Sequence, residues 1–324
     1  MAIPVLFVLL PNALMLDLAG PAEVLRLASQ VEDEGAVEFD LQYVSPVAAL
    51  QTSISLPLTG LAPLPDALLP GTLVVLVGST SKVTAARQRD FETASATLTD
   101  WLQRVFAPSK ERLICVCAGA LSAARAGLLD GRQCTTHHSL CAALQAMAPR
   151  ARVLENRLYV TDDRISCSAG VTAGIDLMLH LVAELAGPRL ACAVAREMVV
   201  YMRRGGADPQ LSPWVSGRNH LHPALHRVQD AVVAAPCDDW SVTRMASLAC
   251  TSSRHLARLF HEHAGISPLD YLHRLRVTVA RELLMQSSLD MEAVAQRSGF
   301  GSARQLRRIW GKYEAAPPSE SRHL

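Results

Sequence analysis

The sequence predicts an α/β domain with a doubly wound, mostly parallel sheet, followed by an all-α domain. In the first two hundred residues, apolar runs bounded by turn residues alternate with helical patterns, as in a parallel sheet covered on both faces. After a stretch rich in Gly and Pro, only helical periodicity continues. We therefore divide the chain into residues 1–204, a linker at 205–224, and residues 225–324.

The strands and helices predicted for the first domain follow from the spacing of its apolar residues. The apolar runs that we interpret as buried strands lie at 3–10, 39–44, 73–77 and 113–116. The helical patterns lie at 21–30, 90–105, 172–185 and 188–203. Residues 157–167 predict a hairpin centred on Asp162 and Asp163.

The composition narrows the class of protein. Of the 324 residues, 50% are hydrophobic and 19% charged, which is enough apolar surface to fill two domain cores. No apolar run approaches the length of a membrane span, and residues 1–16 lack the basic segment and cleavage pattern of a signal peptide. The eight Cys show no disulfide framework or paired metal-ligand spacing. We expect a cytoplasmic protein with reduced thiols, no membrane partner and no cofactor.

The C-terminal part repeats one helix–turn–helix plan at 241–263 and at 290–310, with an amphipathic helix at 269–285 between the copies. Residues 297–312 hold five Arg and Lys and no acid. A helix fits the major groove of DNA, and Arg and Lys neutralise phosphate, so the pattern favours DNA binding. A generic helical bundle with a solvated basic face remains the alternative.

Residues 240–322 resemble the AraC/XylS family of DNA-binding domains. The similarity runs from Ala246 and Leu248 through Gly265, Pro268 and Gly299 to Arg322. It implies that the second helix of each unit enters the major groove of double-stranded promoter DNA, with RNA polymerase as a further partner. The DNA contacts that it implies are Ser253, Arg254, Ala257 and Arg258 in the first unit, and Ser302, Ala303, Arg304, Arg307 and Arg308 in the second.

Within that set the resemblance assigns Arg308 to phosphate and the two alanines to apolar contacts such as a thymine methyl. Trp310, Glu314 and Ser321 depart from the residues usual in the family. These departures predict a looser last packing layer.

Cys117 is the strongest candidate for chemistry in the first domain. It follows a buried strand and precedes small residues and a helix from about Ala120, which is the plan of a nucleophile elbow. A helix N-terminus at this point would lower the pKa of the thiol. His137 lies twenty positions further on, and folding can bring it close. Two alternatives stay open: Cys115 and Cys117 as ordinary buried side chains, and a zinc site, which the spacing does not favour.

Segments 14–23, 117–138 and 168–182 resemble the PfpI branch of the class I glutamine amidotransferase-like fold. Joined to an AraC-type tail, this combination is similar to the GlxA-type regulators. The resemblance puts Cys117 at the nucleophile position, His137 at the histidine position and Asp17 at the acidic position. It implies one ligand pocket formed by Asp17, Gly78, Ser79, Cys117, Ala118 and His137.

Asp17 has a second interpretation, because a carboxylate at a helix start can cap free backbone N–H groups. For the whole chain, the resemblance implies a homodimeric transcription regulator that senses a small, nitrogenous metabolite, without enzymatic turnover. The alternatives are a hydrolase or hydratase with Cys117 as nucleophile, and redox sensing by a Cys117 thiol of low pKa.

Overall fold

The computed structural model describes residues 2–31, 37–80, 85–200, 204–206, 210, 220, 222–314 and 317–319. The chain forms two compact units, Met1–Gln210 and Leu211–Leu324. Most of the predicted linker lies outside the described residues, as do 201–203, Ser321 and Arg322. Among the described residues, no helix is both long and apolar enough to cross a membrane.

The first unit alternates strands and helices. Its strands are β1 (Ile3–Val8), β2 (Phe39–Val44), β3 (Ala49–Gln51), β4 (Pro57–Thr59), β5 (Leu73–Leu76), β6 (Arg112–Val116), β7 (Gln133–Cys134), β8 (Arg152–Val153), β9 (Tyr159–Asp162) and β10 (Ile165–Ser168). Its helices are α1 (Met15–Ala28), α2 (Ala85–Trp101), α3 (Gly119–Arg125), α4 (Cys141–Met147), α5 (Thr172–Ala186) and α6 (Pro188–Glu197). Helix α2 continues as a π-helical turn at Leu102–Phe106, and a 3-10 turn at His138–Leu140 precedes α4.

The main sheet confirms the doubly wound fold. Its strand order is β2-β1-β5-β6-β10-β9; the first five strands are parallel, and β9 pairs antiparallel with β10 in the predicted hairpin. One face of the sheet packs against α1, α5 and α6, and the other against α2 and α3. The chain leaves β1 toward β2 on one side and later toward β5 on the other, so a crevice opens at the carboxyl ends of these strands.

Helix α1 corrects one predicted boundary. We expected the helix to begin at Pro21, but it begins at Met15 and contains that proline. Its first turns are anchored because Asp17 and Leu18 are buried. The burial of these turns against the sheet outweighs the usual preference of proline for the start of a helix.

Every secondary-structure element among the described residues of the second unit is a helix. Its helices are α7 (Pro223–Ala234), α8 (Val242–Leu248), α9 (Ser253–Ala264), α10 (Pro268–Gln286), α11 (Met291–Arg297) and α12 (Ala303–Trp310). Pairs α8–α9 and α11–α12 are the two predicted helix–turn–helix units, and α10 joins them. The five later helices start at N-caps whose side chains accept a backbone N–H, namely Ser241, Ser252, Ser267, Asp290 and Ser302.

The last packing layer of this unit is closed, so the expectation of looseness was wrong. The Trp310 side chain is only 1% exposed. The Tyr313 hydroxyl donates to Asp270 Oδ1 at 2.9 Å, and Glu314 forms an ion pair with Arg281. Glu314 is tolerated at this position because the Arg281 guanidinium of α10 pairs with its carboxylate.

Candidate ligand pocket and candidate DNA-binding face

Cys117 occupies a tight turn between β6 and α3. Its φ of 54° lies in the left-handed region, which costs a non-glycine residue about 1–2 kcal/mol. Its N–H donates to Ser168 O at 3.0 Å, and its carbonyl accepts the Thr136 hydroxyl at 2.8 Å. Gly170, with a φ of 83°, leaves room for the turn, because a Cβ there would collide with Cys117. The strand–turn–helix predicted at this cysteine is therefore present.

Asp17 lies directly behind Cys117 and is fully buried. Its Oδ1 accepts the N–H of Val171, 154 positions away in the chain, at 2.6 Å. Gly78 makes space for it, because a Cβ at that position would collide with the carboxyl group. The helix-capping interpretation of Asp17 was wrong: Leu14 is the N-cap of α1, and no side-chain hydrogen bond caps that end.

Burial controls the protonation of this pair. It raises the pKa of Asp17, although the Val171 N–H and the Cys117 side chain partly oppose the shift. It also raises the pKa of the Cys117 thiol well above its ordinary value, and the charge of Asp17 adds to that rise. The expected lowering of the thiol pKa by a helix terminus is thus contradicted, because desolvation and the nearby carboxyl outweigh it.

His137 is half-buried at the opposite wall of the same depression. Its Nδ1 lies 2.8 Å from the Ser139 hydroxyl and accepts the Ser139 backbone N–H at 3.4 Å. Burial lowers the pKa of His137, and the neighbouring His138 lowers it further. The ring is therefore neutral at pH 7, and with Nδ1 accepting, its proton sits on Nε2.

These groups surround a cavity of about 390 Å³, which we call the Cys117 cavity. Its lining consists of Leu14, Ser79, Thr80, Phe91, Cys117, Ala118, Leu121, Ser122, Arg125, His137, Ser139, Leu140 and Val171. Four of the six predicted pocket residues are in this lining, while Asp17 and Gly78 lie behind it.

Sequence reasoning missed the other nine lining residues. Arg125 could have been found, because it shares one face of a seven-residue helix with Leu121 and Ser122. Phe91 and Val171 carried no such signal, because they reach the cavity from other elements.

A larger cavity of about 560 Å³ lies between the β3–β4 hairpin and α2. Its wall includes Pro11, Pro46 and Asp90, and none of its described lining residues is a predicted site residue. No group of three or more His, Cys, Asp or Glu suited to a metal ion occurs among the described residues. The Cys117 cavity is therefore the candidate ligand site.

The candidate DNA-binding face consists of the outward sides of α9 and α12. In α9, Arg254, Ala257 and Arg258 are exposed, opposite the buried residues Leu256 and Phe260. Arg258 lies 3.8 Å from Glu262 on its own helix. An exposed pair of this kind contributes little to stability and can exchange its carboxylate for phosphate.

Helix α12 presents Arg304, Arg307 and Arg308 to solvent. Ser302 caps this helix, which leaves its hydroxyl engaged with the Gln305 N–H at 3.2 Å. Ser253, the first residue of α9, is partly exposed. Ala303 departs from expectation: it is 8% exposed and packs inward, so its methyl group is not available to a base.

Comparison with known proteins finds two family matches in separate parts of the chain. The DJ-1/PfpI family matches residues 71–184, and a helix-turn-helix domain family matches residues 245–323. The chain thus carries one segment similar to DJ-1/PfpI domains and one similar to helix-turn-helix domains. The DJ-1/PfpI match runs from before β5 into α5, including the Cys117 elbow, and the other match runs from within α8 to beyond α12.

Two curated relatives bear the names of transcriptional regulators. The HTH-type transcriptional regulator GbdR of Pseudomonas aeruginosa is 34% identical over 212 residues, which are 65% of this chain and 57% of the relative. The HTH-type transcriptional regulator GlxA of Rhizobium meliloti is 35% identical over 187 residues, 58% of this chain and 57% of the relative. Each alignment thus spans little more than half of the relative's length.

One solved structure supports the fold. A THiJ/PfpI family protein from Pseudomonas syringae superposes with a TM-score of 0.51 and 24% identity, covering 77% of this chain and 89% of that one.

We predict that Asp17→Asn makes Cys117 easier to alkylate. Asn keeps an oxygen for the Val171 N–H but removes the negative charge that raises the pKa of the thiol. The pH profile of iodoacetamide labelling at Cys117, followed by peptide mass spectrometry, should move to lower pH. The exposed Asp90→Asn is the matched control. An unmoved profile in Asp17→Asn would show that this carboxyl does not govern the thiol.

The exposed arginines of α12 give a second prediction. Each phosphate contact releases counterions, so Arg308→Ala should reduce the slope of log binding constant against log salt by about 1. Fluorescence anisotropy of the full chain on a DNA sequence selected from a random pool measures this slope. The exposed Arg89→Ala, in the DJ-1/PfpI domain, should leave it unchanged. A wild-type slope in Arg308→Ala would remove Arg308 from the phosphate contacts.

Proposed function

We propose that this protein is a ligand-responsive transcriptional regulator. In this proposal the Cys117 cavity binds a small, nitrogenous metabolite, and occupancy changes how α9 and α12 bind double-stranded promoter DNA. The observation that carries the proposal is the presence, in one chain, of a cavity-bearing DJ-1/PfpI domain and two helix-turn-helix units with exposed arginines. The names of GbdR and GlxA as HTH-type transcriptional regulators support it.

A regulator also needs a route by which occupancy changes the rest of the chain. The described residues that lead out of the first unit are 204–206 and 210, which we call the exit segment. Gln210 Nε2 donates to Thr136 O at 2.8 Å and to Arg157 O at 3.0 Å. Thr136 in turn donates its hydroxyl to the carbonyl of Cys117. Two hydrogen bonds thus join the exit segment to the elbow.

The other wall of the cavity is joined to the exit segment as well. Arg204 Nη2 donates to the Thr172 hydroxyl at 2.8 Å, next to the lining residue Val171. Arg204 Nε donates to the buried Asp176 at 3.1 Å. A ligand that displaces either wall therefore acts on a residue of the exit segment.

The hydrolase or hydratase alternative is less well supported. A nucleophilic cysteine needs a thiolate or an adjacent base. Burial raises the pKa of Cys117, and His137 Nδ1 is engaged by Ser139, so this alternative depends on the buried Asp17 carboxyl as the adjacent base. The redox alternative required a thiol of low pKa, and the direction of the shift is the opposite. We propose that the elbow binds without turnover.

The same proposal assigns the partners. Arg254, Arg258, Arg304 and Arg307 contact DNA, with Ser253, Ala257 and Ser302 beside them. Arg308 binds phosphate, and RNA polymerase is a further partner at the promoter. We propose a cytoplasmic homodimer, on the family resemblance alone.

The proposal predicts that an occupant of the Cys117 cavity changes DNA affinity. Capping Cys117 with iodoacetamide should change the dissociation constant for a DNA sequence selected by the full chain by about 5-fold or more, the lower end of typical coupling. Fluorescence anisotropy measures the change, and Cys117→Ala corrects for alkylation of other cysteines. Gln210→Ala should weaken the response, and the exposed Gln133→Ala should preserve it. An unchanged dissociation constant after capping would contradict regulation through this cavity.

A further inference from the structure

The cavity of about 560 Å³ between the β3–β4 hairpin and α2 has no part in the regulation proposed above, and we call it the Asn12 cavity. Its volume is within the range of small-molecule sites. Its described lining includes Asn12, Val47, Leu50 and Ala94, and it shares no described lining residue with the Cys117 cavity. The two are therefore separate sites.

Backbone hydrogen bonds fasten the hairpin to the turn after β1. The Asn12 N–H donates to Gln51 O at 2.7 Å, and the Ser53 N–H donates to Ala13 O at 2.9 Å. Asn12 has a φ of 63°, in the left-handed region that Asn tolerates better than most residues. The segments that bound the cavity on this side are thus held together by main-chain contacts.

Helix α2 supplies the opposite wall with one of its faces. Its lining residues follow one another at the spacing of neighbours on a helix surface, namely Asp90, Thr93, Ala94 and Thr97. Phe91, one position after the first of them, belongs to the lining of the Cys117 cavity instead. One helix thus presents different side chains to the two cavities.

The side-chain amide of Asn12 is buried at the wall of this cavity without an acceptor. Asn12 is 2% exposed, and among the described residues no atom accepts a hydrogen bond from its Nδ2. Its backbone is fully engaged, since its carbonyl accepts the Thr80 N–H at 3.2 Å. A buried donor without an acceptor is costly, so an acceptor atom that meets it contributes to affinity.

The rest of the lining limits the charge of a ligand. Eight of the fourteen described lining residues are Pro, Val, Leu or Ala, and Leu50 and Ala94 are buried. Asp90 is the one Lys, Arg, His, Asp or Glu among the fourteen, and it is exposed. An anion that entered would lose water without gaining a cation, which is costly.

We propose that the Asn12 cavity is a second small-molecule site, which takes an uncharged ligand with a carbonyl group. The carbonyl oxygen accepts a hydrogen bond from Asn12 Nδ2, and the apolar part of the ligand packs against Val47, Leu50 and Ala94. Amides, lactams and ketones have this chemistry. The site does not depend on the proposed regulation through the Cys117 cavity.

Two lactams with the same ring test the proposal without knowledge of the natural ligand. 2-Pyrrolidone is uncharged, and pyroglutamate is the same ring with an added carboxylate. The chain contains three Asn, so ¹⁵N-asparagine labelling of the full chain gives three side-chain NH₂ signals, which single Asn→Gly variants assign. 2-Pyrrolidone should shift the Asn12 signal to saturation and leave that of the exposed Asn156 in place. Pyroglutamate should bind more weakly by about tenfold or more.

Asn12→Gly removes the donor and keeps the backbone, because glycine adopts a positive φ without strain. The ¹³C-labelled methyl groups of Val47 and Leu50 report binding in this variant. Its affinity for 2-pyrrolidone should fall by about tenfold, as expected for a hydrogen bond to a buried donor. Asn156→Gly is the matched control, since Asn156 has a φ of 57° and is exposed, and it should bind as the wild type does. Unfolding midpoints in urea verify that each variant is folded.

An Asn12 signal that does not respond to 2-pyrrolidone would overturn the proposal. Pyroglutamate that binds as tightly as 2-pyrrolidone, or wild-type affinity in Asn12→Gly, would do the same. An Asn12 signal that moves with protein concentration and not with 2-pyrrolidone would assign the cavity to a contact between copies of the chain and would also contradict the proposal. If Asn12→Gly does not fold, the two lactams on the wild-type chain decide alone.

Discussion

The site in the first unit depends on the burial of one carboxyl group. Asp17 is removed from water, which is costly for a charged group unless it is hydrogen-bonded. The Val171 N–H supplies that bond, and the contact ties the start of α1 to the loop before α5. Cys117 lies next to Asp17 at the carboxyl ends of the strands. Its burial there, together with the Asp17 carboxyl group, raises the pKa of the thiol and keeps it protonated.

A protonated thiol in a strained turn is poorly suited to attack, which is compatible with the proposed sensing role. The elbow keeps the sharp geometry of a catalytic cysteine, and its carbonyl and N–H are both fixed by neighbouring segments. The segments that contain those partners also bind Arg204, through Thr172 and Asp176, and Gln210, through Thr136. These hydrogen bonds are the route that the proposed regulation uses. A thiol of raised pKa and a hydrogen-bonded connection to the exit segment are thus compatible at one site.

Much of the fold could be predicted because burial and turn residues leave strong local patterns. The strands around Cys117, the hairpin at 157–167 and both helix–turn–helix units follow from apolar runs, caps and glycines. Local patterns do not report desolvation, which explains why the shift of the Cys117 pKa was predicted with the wrong sign. They also do not show which residue in the first turn of a basic helix packs inward, as Ala303 does. Nor do they show contacts between residues distant in sequence, such as those of Arg125 with Ser95 and of Gln210 with Thr136.

The central claim is that occupancy of the Cys117 cavity reaches the exit segment. Hydrogen–deuterium exchange of the full chain, before and after capping Cys117 with iodoacetamide, measures this directly. The account predicts altered exchange at Val171, whose N–H binds Asp17, and at Leu158, whose N–H donates to Gly206 O at 3.1 Å. Changes confined to the elbow and α3, with Leu158 and residues 204–210 unaffected, would contradict it.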